Sequence, residues 1–178
     1  MNDKLLRLVA SIGLAVGGAL GMAGTLAPSA ELRGLAWGID GIALIIACCL
    51  LTLRFVRMGQ EFVAAGFLVF AIGESLLVSG AAMDLARSVP SFGGGVGLWA
   101  AGLVLISAAP VFPIAVRLLG LAAAVLFAAT ACFIFTGADL TPLSQPLPFL
   151  AYPVLVATFV GWIATLVRDE VAGPRPPV

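Results

Sequence analysis

The segment Phe62 to Asp84, FVAAGFLVFAIGESLLVSGAAMD, is apolar over the thickness of a bilayer except for one glutamate, Glu74, near its middle. A carboxylate at the centre of a membrane costs roughly 2.5 to 3.5 kcal/mol on insertion scales, so such a side chain is expected to face the protein interior. Five further runs resemble it. The apolar stretches fall at about 5–27, 34–53, 62–83, 95–112, 116–136 and 147–167. Each approaches or exceeds the ~18 to 20 residues that a helix rising about 1.5 Å per residue needs to cross ~30 Å of hydrocarbon. The first run opens with Lys4 and Arg7, as a signal peptide would, but its apolar core from Leu8 to Leu26 is longer than the typical signal core, and it is read as a helix.

With 62% hydrophobic and 10% charged residues, the chain has too little polar surface to clothe a water-soluble globule. The expected fold class is an all-α integral membrane protein of six transmembrane helices. They are arranged as three antiparallel hairpins, with a bundle over 1–170 and a disordered cytoplasmic tail over 171–178, where VAGPRPPV is too short and proline-rich to fold. An N-terminus in the cytoplasm puts Lys4, Arg7, Arg54, Arg57, Arg117, Arg168 and Arg175 inside and only Arg33 and Arg87 outside. That bias places both termini in the cytoplasm of a cell (inner or plasma) membrane. Trp37, Trp99 and Tyr152 then fall near outer helix ends and Trp162 near an inner one, the headgroup level that amphipathic rings favour.

The three outer connections look alike: APSAELRGLAW from Ala27, VPSFGGGVGLW from Val89 and TPLSQPLPFLAY from Thr141. Each pairs turn residues with an aromatic start to the next helix, and the returning helices finish in arginine, at Arg57, Arg117 and Arg168. The pattern fits a hairpin repeat, and it fits equally the demand of any membrane helix pair for turn residues outside and arginine inside. SFGGGVG, from Ser91, reads as a turn into the fourth helix rather than a phosphate-binding loop.

Small residues recur at helical spacing: Gly13, Gly17 and Gly21; Gly34, Gly38 and Gly41; Gly66, Gly73 and Gly80; Gly120, Ala124, Ala128 and Ala131. Such stripes let backbones approach closely, within one chain or between two copies. Pro110 and Pro113 bracket a tight turn between the fourth and fifth helices, and Pro153 sits in the first turns of the sixth.

The chain has no histidine, so the commonest general base and the commonest zinc and haem ligand are missing. Cys48, Cys49 and Cys132 lie inside apolar runs, in no metal or redox spacing, and read as small packing residues. No enzyme, cofactor or metal site is expected, and no basic patch points to nucleic acid.

Chemistry therefore rests on the acids. Asp40 lies about 10 Å below Arg33 on the second helix, and Glu74 about 15 Å below Asp84 on the third. Consecutive antiparallel helices bring them to within about one turn of the same depth, where both could face one cavity. Two carboxyls there can relay a proton or bind a cation, with Ser75, Ser79 and Ser107 as polar neighbours on the path. Alternatively each carboxyl is interhelical glue, bonded to a carbonyl, a serine or an indole, with Asp40 also able to reach water or Arg33. Asp84 and Arg87 either line an outer mouth or form a solvated surface pair. The expected partners are membrane lipids together with a small ion or solute. A membrane-assembly or lipid-binding role, with another membrane protein or a second copy as partner, is the alternative.

Overall fold

The computed structural model describes residues 2–81 and 84–171. It consists of six helices: α1 (Asp3–Thr25), α2 (Ala30–Arg57), α3 (Glu61–Ala81), α4 (Val89–Ala108), α5 (Ile114–Phe135) and α6 (Ala151–Val171). All six are long and apolar enough to cross a membrane, and the described residues contain no strand. The expected tail begins at a residue that closes α6, and 172–178, with Arg175, lie outside the described residues.

Local chemistry sets most helix ends. Ser29 caps α2, its hydroxyl accepting from Leu32 N at 3.3 Å. The connection 109–113, with Pro110 and Pro113, separates α4 from α5 as the prolines indicate. Pro153 stands in the first turn of α6, where its missing N–H leaves no intrahelical bond unmade.

Several boundaries shift from expectation, and two of the shifts have a local cause. Helix α4 begins at Val89 rather than near 95, so SFGGGVG is helical and not a turn. Pro90 starts the helix, and the glycines that suggest a loop are needed because α3 lies against Gly94 and Gly95 and α5 against Gly93. A Cβ built on Gly95 would stand 2.9 Å from Gly73 O, and one on Gly73 2.8 Å from Gly95 O. Helix α6 begins only at Ala151, because 141–150, with Pro142, Pro146 and Pro148, is spent in turns.

Each helix packs on its neighbours in sequence, and α6 returns to α1, closing a ring of six. The small-residue stripes form its seams. Gly13 and Gly17 lie against Ala43 and Leu44 of α2, and Gly66 and Gly73 against Gly102 and Gly95 of α4. The stripe on α1 is therefore used within the chain. On α5, Gly120, Ala124 and Ala131 are buried as expected, whereas Ala128 faces outward. Gly34 and Gly38 have nothing nearby.

Trp99 and Trp162 fill the centre, which overturns their expected place at headgroup level, whereas Trp37 and Tyr152 are part-buried in the early turns of α2 and α6. Trp162 is 1% exposed, with its ring 5.0 Å from that of Phe67, and Trp99 stacks on Phe70 at 5.1 Å. Ring-on-ring packing across the bundle outweighs the interfacial preference of these indoles. The outward faces carry Ile12, Leu35, Ile42, Leu68, Val125 and Val160, all exposed.

Arg7, Arg54 and Arg117 find partners within the protein. At the end where α1 starts and α2 and α6 finish, Asp3 pairs with Arg7 at 3.1 Å and Arg54 at 3.2 Å, and Arg7 Nη1 donates to Leu166 O at 3.3 Å. Arg117 donates to Ser107 O at 2.7 Å and Ala108 O at 2.9 Å, satisfying carbonyls that the end of α4 leaves open.

Candidate functional site

A cavity of about 110 Å³ lies inside the ring, toward the end that carries the segments 26–29, 84–88 and 136–150. Gly17 and Gly21 of α1, Trp37, Asp40 and Leu44 of α2, Glu74 of α3, Trp99 of α4, and Tyr152 and Phe159 of α6 line it. Thr25, Leu85 and Pro142 extend the lining to the end of the bundle.

The sequence places Asp40 and Glu74 at one depth, and the structure places both in this one cavity. Glycine makes the room. A Cβ built on Gly21 would stand 2.9 Å from Asp40 Oδ2, and one on Gly17 3.2 Å from Asp40 Oδ1. Gly41, the residue after Asp40, does the same for the other acid: its built Cβ would stand 3.0 Å from Glu74 Oε1. Each carboxyl thus sits in a notch cut by a glycine of the preceding helix.

Both carboxyls are under-satisfied. Asp40 is 9% exposed and Glu74 3% exposed, yet Asp40 Oδ1 and Glu74 Oε2 are buried without a hydrogen-bond partner. Trp99 Nε1 is also buried and unpartnered; it lies beside the Glu74 carboxyl but falls short of hydrogen-bond geometry. Buried polar atoms normally find partners, and an orphan at a cavity wall marks a place where something else supplies one. Among the described residues, no lysine or arginine lines the cavity.

The remaining polar groups are occupied locally. Tyr152 donates to Pro142 O at 3.2 Å, Trp37 Nε1 to Gly21 O at 3.2 Å, Thr25 to Gly21 O at 2.9 Å and Ser88 to Leu85 O at 2.9 Å. Their hydrogens are committed, while the hydroxyl oxygens keep acceptor capacity.

The other residues singled out in the sequence lie elsewhere. Ser75 and Ser79 are on an exposed face of α3 and donate to Ala71 O at 2.9 Å and Leu76 O at 2.7 Å. Ser107 is buried near the opposite end of α4, packed against Gly120. None of the three serines lines the cavity. Asp84 and Arg87 form an exposed pair at 3.1 Å, while their neighbours Leu85 and Ser88 line the wall. Arg33 does not reach Asp40: its Nη2 donates to Ala27 O at 3.4 Å, and its guanidinium lies over the Trp37 ring. Sequence reasoning missed Trp99 and Tyr152 as cavity residues, and took Gly17 and Gly21 for helix packing alone.

No protein-family model, curated protein or solved structure matches this chain. What the site can do follows from its own chemistry. Among the described residues no group of three or more histidine, cysteine, aspartate or glutamate side chains is placed to hold a metal. Two carboxyls without a positive neighbour, in an apolar cavity, can hold a proton between them or receive a cation.

Proposed function

We propose that this chain is a multi-pass protein of a cell (inner or plasma) membrane, a small transporter or channel-like bundle that handles a proton, a cation or a small solute through Glu74 and Asp40. Six apolar helices with apolar outward faces suit a bilayer. The distribution of arginine favours three antiparallel hairpins with both termini in the cytoplasm, which puts the cavity in the outer half.

The observation that carries the reading is the pair of orphaned oxygens, Asp40 Oδ1 and Glu74 Oε2, in one cavity that no lysine or arginine among the described residues lines. Interhelical glue would show those oxygens engaged. A second reading, assembly with another membrane protein or a second copy, draws on the outward Gly34 and Gly38 of α2, where a partner backbone could approach.

The test is flux. Protein reconstituted in liposomes with a trapped pH indicator, or with a trapped cation indicator, is compared with Glu74→Gln and Asp40→Asn. Flux in the wild type that both variants abolish supports the reading. Equal traces from wild type, variants and empty liposomes refute it and leave assembly in its place.

A further inference from the structure

We propose that the cavity takes a small protonated amine whose N–H groups are read by Asp40 and Glu74. The inference rests on the transport reading above and narrows its solute to one chemical class.

The argument starts from what the walls lack. An anion would meet two carboxyls and, among the described residues, no lysine or arginine. A hard divalent cation asks for six or more oxygens, or for a near-octahedral set; the wall offers two carboxyls, and among the described residues no group of three or more histidine, cysteine, aspartate or glutamate side chains is placed to hold a metal. A proton alone needs no space, whereas about 110 Å³ is room for a body of several heavy atoms. Most of the wall is hydrocarbon, from Leu44, Leu77, Val78, Leu155 and Phe159.

The missing partners point the same way. Asp40 Oδ1 and Glu74 Oε2 are both acceptors without a donor. A primary ammonium supplies up to three N–H donors and the positive charge together, and its alkyl part lies on the apolar wall. A quaternary ammonium has the charge and no N–H.

Trp99 acts on Glu74 rather than on the amine. Its ring is stacked on Phe70 and met edge-on by Phe127, so its free polar atom is the indole N–H beside the Glu74 carboxyl. It is a positioning residue: when an ammonium engages one carboxyl oxygen, the indole N–H can close on the other.

Two probes with the same four carbons and one nitrogen separate the possibilities: n-butylammonium and tetramethylammonium, titrated calorimetrically into purified protein, with sodium as a third. The expected result is binding of n-butylammonium, about tenfold or more tighter than tetramethylammonium, the scale of one or two charge-assisted hydrogen bonds. Glu74→Gln and Asp40→Asn should each lose that binding while melting within a few degrees of wild type. Trp99→Phe should weaken it and leave weak tetramethylammonium binding unchanged, a split that a packing role would not produce. Equal or tighter binding of tetramethylammonium overturns the N–H readout. Failure of both amines to bind a wild type that still conducts protons or sodium in liposomes overturns the amine and leaves the transport reading intact. Failure of both binding and flux overturns the two together.

Discussion

Glu74 is seated against Gly41: a Cβ built on that glycine would stand 3.0 Å from Glu74 Oε1 and collide with Val78 Cγ2. Asp40, one residue earlier, is seated against Gly21 in the same way. The two acids therefore occupy linked notches across α1, α2 and α3, and a side chain in either notch crowds a carboxyl. That relation ties the packing of the ring to the chemistry of the cavity.

Gly41→Ala is expected to destabilise by about 1–3 kcal/mol, the cost of overpacking a tight seam. Gly38→Ala, three residues away with nothing near it, is expected to be neutral or to stabilise by up to about 1 kcal/mol through helix propensity. Melting temperatures in one detergent compare them. Equal shifts would mean that α2 and α3 do not meet closely at Glu74.

Gly21→Ala tests the second notch through function. Its methyl would lie 2.9 Å from Asp40 Oδ2, so the carboxyl must turn away from its present seat. Liposome flux is expected to fall well below wild type, with Gly38→Ala as the control that retains it. Full flux in Gly21→Ala would show that the seat of Asp40 is not needed.

The number and kind of helices were legible in the sequence because length and hydropathy act locally, and 1.5 Å per residue decides what can span a bilayer. The shared cavity of Asp40 and Glu74 was legible for the same reason: rise along two consecutive helices sets depth. Rotation about each axis was not. Ser75 is adjacent to Glu74 yet points outward, and a helical serine satisfies itself on the preceding turn, as Ser75 does on Ala71 O. The glycines from Gly93 to Gly97 read as a loop because glycine is a poor helix former, and the close approach of α3 to Gly94 and Gly95 and of α5 to Gly93 explains them as helix. Trp99 and Trp162 read as interfacial because nothing in a single helix reveals the rings waiting for them on another.

Arg117→Met removes donors from Ser107 O and Ala108 O but keeps much of the side chain's bulk. The expected loss is about 1–2 kcal/mol, within the range for charged hydrogen bonds and reduced because the side chain is part-exposed. Hydrogen exchange at the end of α4 and the start of α5 should rise selectively. An unchanged melting temperature and exchange pattern would assign Arg117 to the headgroups instead.

Asp84→Asn is expected to shift stability by less than about 1 kcal/mol, because the pair with Arg87 is solvated on both sides. Flux should equal that of wild type. A clear loss of flux would return Asp84 and Arg87 to the role of an outer mouth.

The most direct test of whether the buried acid serves chemistry or packing is the melting temperature of Glu74→Gln beside wild type, in the same lipid-like detergent at pH 8. Glutamine keeps the shape and cannot ionise. If the carboxyl is retained for a proton or cation at a cost to stability, the variant melts at or above wild type. If it melts several degrees lower, the carboxyl is holding the helices together, and the transport reading loses the observation on which it stands.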